Sequence, residues 1–177
     1  AVTMLVAIYF AVKATDYKQV LAYTTITALG VMTMLIGMGT ETALRAFVVY
    51  LLAHAAYKAT LFMVAGNVDH EAGTRELTRL RGLGRAMPVT FGAALVADLS
   101  LGGVWPLLGF VGKEIKFEAV LFGEALLVSV IVTSLLSVVV AAAVGWGPYV
   151  GERSEAAREA HEAPVAMLVG PVVLAAS

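Results

Sequence analysis

One stripe of ionisable residues inside an apolar stretch constrains this chain more than any other feature. In ALRAFVVYLLAHAAYKATLFMVAGNV, residues 43 to 68, Tyr50, His54 and Lys58 recur every four residues. The stretch exceeds the roughly 20 residues that a helix rising about 1.5 Å per residue needs to cross the hydrocarbon of a bilayer. The spacing sets phenol, imidazole and ammonium on a single helix face, one turn above another. Lys58 lies about ten residues, roughly 15 Å of helix, from the nearer end, too deep for its stem to carry the charge to the headgroups. An ammonium at that depth costs about 2.5 to 3.5 kcal/mol even on lenient insertion scales, so it points to function by default. The stripe implies proton-exchanging groups held inside a membrane.

Composition agrees. Of the 177 residues, 60% are hydrophobic and 14% charged, against about 25% charged in a soluble domain. A net charge of −1 offers no basic surface to nucleic acid. The absence of cysteine excludes disulfides and thiolate-bound metals within these residues and leaves the compartment undecided. No phosphate-binding glycine loop, Ser/His/Asp arrangement or metal-ligand spacing is present, so neither a cofactor nor a metal is expected and the chain does not read as an enzyme in its own right. His70 and His161 fall in polar connections and suggest no site. The chain starts at Ala1 in an apolar run without a basic leader, which reads as a piece of a larger membrane protein rather than a signal peptide.

Hydropathy divides the chain into five crossings and the start of a sixth. Residues 1–15 form a short apolar stretch that reads as the remainder of a truncated helix. Asp16-Tyr17-Lys18-Gln19 hinges into residues 20–38, which Gly37, Gly39 and Thr40 end. The striped helix follows, then the charged connection 69–86, an interrupted apolar segment 87–122, a helix over 125–148, a polar loop 149–163 and a last apolar run to residue 177. The expected fold is therefore an all-α membrane bundle of about five to six helices. If connections alternate sides, Lys13, Lys18, Arg75, Arg79, Arg81, Arg85, Arg153 and Arg158 share one side and Arg45 alone takes the other. That bias predicts a multi-pass protein of the cell membrane with loops 69–86 and 149–163 cytoplasmic, provided residues 87–122 cross once.

Gly102, Gly103, Pro106, Gly109 and Gly112 interrupt residues 87–122 just before Lys113, Glu114, Lys116 and Glu118. Proline removes a backbone donor and glycine favours non-helical backbone, so two half-helices around an unwound middle are predicted. Unwound backbone at membrane depth needs protein or a water-filled cavity around it, and such broken helices form ion sites in transporters. The competing reading is an ordinary loop between two crossings, with Lys113 to Glu118 solvated. Other polar residues also admit two readings. His54 is either a proton carrier or a core histidine bonding two helices. Asp98 is either a counter-ion for Lys58 or Lys113, or a residue near water at the break. Tyr50 and Tyr57 read as packing or interfacial residues, and Thr24, Thr25 and Thr27 as donors to their own helix.

The runs Asp16-Tyr17-Lys18-Gln19-Val20-Leu21-Ala22-Tyr23-Thr24-Thr25-Ile26 and His54-Ala55-Ala56-Tyr57-Lys58-Ala59-Thr60-Leu61-Phe62 resemble the antiporter-like proton-channel subunits shared by respiratory complex I and the multisubunit Mrp cation/proton antiporters. Gly73-Thr74-Arg75-Glu76 and Gly109-Phe110-Val111-Gly112-Lys113-Glu114 match further motifs of that family in the same order. Tyr57 before Lys58, and His161-Glu162-Ala163-Pro164, are more similar to the A-type Mrp subunits than to the large complex I subunit.

The resemblance implies two inverted five-helix repeats, each with one discontinuous helix. Residues 1–148 would be the second repeat, and residues 149–177 a cytoplasmic loop and the start of a further helix. It also implies that His54, Lys58 and Lys113 occupy relay positions. Tyr50 stands where some complex I subunits carry a histidine, and Asp98 matches no relay position of the family. The expected partners are other membrane subunits of one hetero-oligomeric complex, the lipid bilayer, protons and monovalent cations, Na⁺ foremost. A proton-pumping subunit of an NADH–quinone oxidoreductase is the alternative, and a non-transporting bundle held by polar contacts a further one.

Overall fold

The computed structural model describes residues 1–121 and 123–175, so Phe122 of the interrupted segment and Ala176 and Ser177 of the last run lie outside the described residues. Helices α1 (Val2–Lys13), α2 (Tyr17–Met38) and α3 (Glu41–Ala72) come first, followed by two short 3₁₀ turns, Leu77–Arg79 and Leu83–Arg85. Helices α4 (Pro88–Gly102), α5 (Leu108–Val120), α6 (Glu124–Gly145), α7 (Glu155–Glu159) and α8 (Val165–Ala175) complete the chain. By length and composition α2, α3 and α6 can each cross a membrane, while α1, α4 and α8 are shorter apolar helices.

The helix boundaries follow from capping. Asp16 accepts from the Gln19 amide at 2.9 Å to start α2, and Gly39, at φ 65°, ends it in the left-handed region. Thr40 accepts from the Ala43 amide to start α3. Its 32 residues run into the charged connection as far as Ala72, which puts Lys58 fourteen residues from the nearer end of the helix. Helix α4 opens with Pro88 and is capped from far along the chain. The Glu162 carboxylate accepts from the Val89 amide at 2.7 Å and from the Thr90 hydroxyl at 2.6 Å, meeting donors that a helix start leaves unpaired.

The interrupted segment is one broken helix. Helices α4 and α5 hold 15 and 13 residues, about 22 and 20 Å of helix, each short of a bilayer's roughly 30 Å. They lie end to end along α3. Ala93 and Ala94 of α4 are buried in the cluster holding Val64, Ala65 and Val68, whereas Val120 at the far end of α5 is buried with Ala43 and Ala46. Between them the backbone leaves the helix at Gly103, φ 74°, and resumes at Leu108. Gly109 lies so close to the last turn of α4 that an added Cβ would overlap the Ser100 carbonyl, and its amide donates to Ser100 Oγ at 3.2 Å.

At the end of the bundle carrying the arginines, two sequence motifs clasp each other. The Tyr17 amide donates to the Arg75 carbonyl and the Leu77 amide to the Thr15 carbonyl, both at 2.9 Å. Arg75 pairs with Asp16 at 3.2 Å and Lys18 with Asp69 at 2.7 Å. The loop after α6 joins the same surface, with the Leu83 and Gly84 amides donating to the Pro148 and Tyr149 carbonyls. His70 and His161 are not isolated there, since each meets the Glu71 carboxyl, at 2.8 and 2.6 Å.

Candidate functional site

Helix α3 carries the stripe into the core. Lys58 is 5% exposed, so its ammonium cannot reach water by extending its stem. Its Nζ donates to the Leu21 carbonyl at 2.9 Å and to the Thr24 hydroxyl, both on α2. Thr24 meanwhile donates to the Val20 and Leu21 carbonyls, so its oxygen presents a lone pair to the lysine. Thr25 and Thr27 donate within α2 as the sequence suggests, to Leu21 and Tyr23. Thr24 adds the role of holding an ammonium.

His54 is hydrogen-bonded within its own helix. Its Nδ1 is hydrogen-bonded to the Tyr57 hydroxyl at 3.1 Å, the two rings meeting edge to face. Tyr57, which the sequence reading assigns to packing, is thus the immediate polar partner of the histidine. The signal was its position three residues after His54, where helix side chains meet. His54 and Lys58 remain close enough to interact electrostatically.

Beyond Tyr57 lies a small cavity of about 20 Å³, lined by Tyr50, Tyr57, Ser100, Lys113, Lys116 and Ser134 among others. That volume accommodates about one water molecule. Lys113 reaches it from the break, its Nζ donating to the Gly102 carbonyl at 2.6 Å. This is a carbonyl that the unwinding of α4 frees from the helical ladder. Tyr50 lines the cavity too, with Lys116 over its ring.

Lys116 is a buried lysine to which the sequence reading gave no place in the site. It is 3% exposed, donates to Ser134 Oγ at 3.0 Å and lies 5.2 Å above the Tyr50 ring. The segment Lys113 to Glu118 is therefore not a uniformly solvated stretch. Two signals were present: Lys116 shares a face with Lys113 at i+3, and the otherwise apolar α6 carries Thr133, Ser134 and Ser137. Only packing brings those hydroxyls opposite the lysines.

Asp98 forms no ion pair with Lys58 or Lys113 among the described residues, and neither carboxylate oxygen has a hydrogen-bond partner. It is buried at 6% exposure, within electrostatic reach of Lys58, Tyr17 and Tyr149. The hydroxyls of Tyr17 and Tyr149 are likewise buried and approach each other without closing a hydrogen bond of normal geometry. Tyr149 follows the end of α6 and stacks on Phe91 at 4.9 Å. Burial above all pushes its phenol well above the ordinary value, against an opposing interaction with the Tyr17 hydroxyl and with a further push from the charges of Asp98 and Glu162, so the hydroxyl stays protonated.

Among the described residues no His/Cys/Asp/Glu group has the arrangement of a metal site. What the geometry presents is a set of lysines, a histidine and hydroxyls in the core, reaching from α2 and α3 to the broken helix.

Comparison with known proteins fits this geometry. A family model described as NADH:quinone oxidoreductase/Mrp antiporter, TM, matches residues 1–139. The chain is 46% identical over 115 residues to a probable A/B-type K⁺/H⁺ antiporter subunit of Rhizobium meliloti (strain 1021), covering 65% of this chain and 12% of the relative. It is 34% identical over 201 residues to the A-type Na⁺/H⁺ antiporter subunit of Bacillus subtilis (strain 168), covering 98% of this chain and 25% of the relative. This chain thus spans a quarter or less of those proteins. Among solved structures, a chain of an archaeal membrane-bound sulfane sulfur reductase superposes with a TM-score of 0.91 at 28% identity, covering 99% of this chain and 29% of that one. A chain of the Mrp complex from Dietzia sp. DQ12-45-1b gives 0.89 at 22% identity, covering 98% and 41%, which speaks to the fold.

Proposed function

Since this chain belongs to the NADH:quinone oxidoreductase/Mrp antiporter transmembrane family, we propose that it is the proton-conducting part of a membrane subunit in a multisubunit monovalent cation/proton antiporter. One observation carries the reading: the buried Lys58 ammonium, held by a main-chain carbonyl and a threonine hydroxyl of the neighbouring helix. A lysine placed there without an acidic partner at contact distance contributes little to packing, and its value lies in accepting and releasing a proton.

From Lys58 and His54 the proton passes by way of Tyr57 to the hydroxyl-lined cavity, and there to Lys113 and Lys116. Tyr50 lines that transfer, and Asp98 supplies a counter-charge near Lys58. A single water in the cavity bridges hydroxyl and ammonium groups that do not touch. Partner subunits of the complex couple this movement to a cation, Na⁺ foremost. Similarity over 98% of the chain to a subunit of an Na⁺/H⁺ antiporter favours this over a proton-pumping subunit of an NADH–quinone oxidoreductase. In this reading the arginine-bearing connections 69–86 and 149–163 face the cytoplasm of a multi-pass cell-membrane protein.

The test is cation-driven collapse of an imposed pH gradient in inverted vesicles carrying the full complex. Wild type exchanges and Lys58→Ala, at equal assembly, does not. Normal exchange by Lys58→Ala would make the lysine structural and remove the proposal.

A further inference from the structure

The relay just proposed has no defined connection between Lys58 and the arginine-bearing end of the bundle. The unused polar groups of the structure lie there. Asp98 is a buried carboxyl with both oxygens unpartnered, and the buried hydroxyls of Tyr17 and Tyr149 approach each other beside it without closing a hydrogen bond of normal geometry. Buried polar groups are normally hydrogen-bonded, so three such side chains in mutual reach call for an explanation. Each comes from a different element: Tyr17 starts α2, Asp98 lies on α4 and Tyr149 follows α6. Lys58 on α3 interacts with Asp98 from the core side. On the other side Tyr149 interacts with the carboxylate of Glu162, which is partly exposed where it caps α4.

We infer that Tyr149, Tyr17 and Asp98 form a proton-exchange site joining Lys58 to the loop surface, with Glu162 at its mouth. This inference rests on the relay reading and assigns it a side and a route. Asp98 and Lys58 are not in hydrogen-bond contact, so in the step that matters a water carries the proton. The Asp98 carboxyl O–H breaks as the water accepts its proton, and an N–H forms on the neutral Lys58 amine as the water gives up one of its own. A carboxylate is left facing an ammonium, with no change in total charge. The replacement proton comes from the Glu162 side past Tyr149, whose hydroxyl releases its proton toward Asp98 only as it takes up another, with water closing the gaps, so that no phenolate forms and the tyrosine ends as it began.

The packing fits a proton rather than a metal cation. Gly145 of α6 lies so close to the Asp98 carboxylate that a Cβ added there would overlap it, leaving no room for a coordination shell on that side. A carboxyl placed only to stabilise the fold would be paired with a donor, and the phenols beside it would be satisfied.

The experiment uses the assembled complex with the full-length subunit in inverted vesicles. Dicyclohexylcarbodiimide, which adds to protonated carboxyl groups in apolar surroundings, is followed by mass spectrometry of the peptide containing Asp98, alongside pH-gradient exchange. The expected results are an adduct on Asp98, and a fall in exchange of about tenfold or more in Asp98→Asn that Asp98→Glu partly restores. Tyr149→Phe, which keeps the ring stacked on Phe91, also slows exchange. Asp98→Asn or Tyr149→Phe exchanging at the wild-type rate while Lys58→Ala is inactive overturns this route and leaves the relay standing. Normal exchange in Lys58→Ala removes both. If Asp98→Asn fails to assemble, labelling of the wild-type complex decides, and no adduct on Asp98 under exchange conditions overturns the site.

Discussion

Lys58 on α3 donates from Nζ to the main-chain carbonyl of Leu21 on α2, 2.9 Å away and 37 residues earlier in the chain. The same carbonyl also accepts from the hydroxyls of Thr24 and Thr25. Bonds of this kind hold the lysine between two helices without pairing it to an acid, so its charge can be gained and lost without breaking a salt bridge. The consequences are open to mutagenesis.

Replacing His54 by alanine should slow exchange without abolishing it, because Tyr57 and a water can bridge the space the imidazole leaves. Lys58→Arg should be as inactive as Lys58→Ala, since a guanidinium stays protonated at any working pH. Exchange rates measured beside complex assembly check both. An active Lys58→Arg would show that a fixed positive charge suffices.

Lys116→Met should lower exchange by about tenfold or more while the complex assembles at least as well as wild type. Exchanging a buried ammonium for an apolar chain of similar length removes a desolvation cost. Ser134→Ala should have a smaller effect, because Lys116 keeps its place over the Tyr50 ring. Wild-type exchange by Lys116→Met would leave Lys113 as the sole terminal group of the relay.

The broken helix predicts a labelling pattern. The chain contains no cysteine, so single cysteines can be introduced against an empty background within these residues. Positions 103–112 should resist an impermeant thiol reagent from either side, and positions 124–126 should label from the side opposite the arginine-bearing loops. Free labelling of 103–112 from outside together with cytoplasmic labelling of 124–126 would mean two crossings.

Gly109→Ala should destabilise the protein by about 1–3 kcal/mol, the usual cost of forcing a methyl into filled space. The new carbon would overlap the Ser100 carbonyl, which belongs to the backbone and cannot swing aside. The shift should also displace Lys113 four residues on, so exchange per assembled complex falls too. Thermal unfolding of the detergent-solubilised complex, compared with Gly37→Ala where nothing lies within 4 Å, separates this from a generic effect of removing glycine.

Much of this protein is determined by its linear pattern. A stripe at i, i+4 and i+8 inside an apolar stretch places Tyr50, His54 and Lys58 on one helix face wherever that helix packs. The run of Gly102, Gly103, Pro106, Gly109 and Gly112 interrupts α4 and α5 whatever surrounds them, because the local backbone chemistry is sufficient. Which groups meet is a different matter, set by contacts between residues far apart in the chain. Lys58 could be recognised as deep but not as bound to Leu21 and Thr24. Lys116 looked like one more charge in a charged stretch until α6 placed Ser134 against it. Asp98 stood open between counter-ion and surface residue, and the packing of four elements left it buried beside Lys58, Tyr17 and Tyr149 with no hydrogen bond. Helical periodicity acts over a turn or two and is written locally; the partners of a buried charge depend on helix packing, which no local pattern encodes.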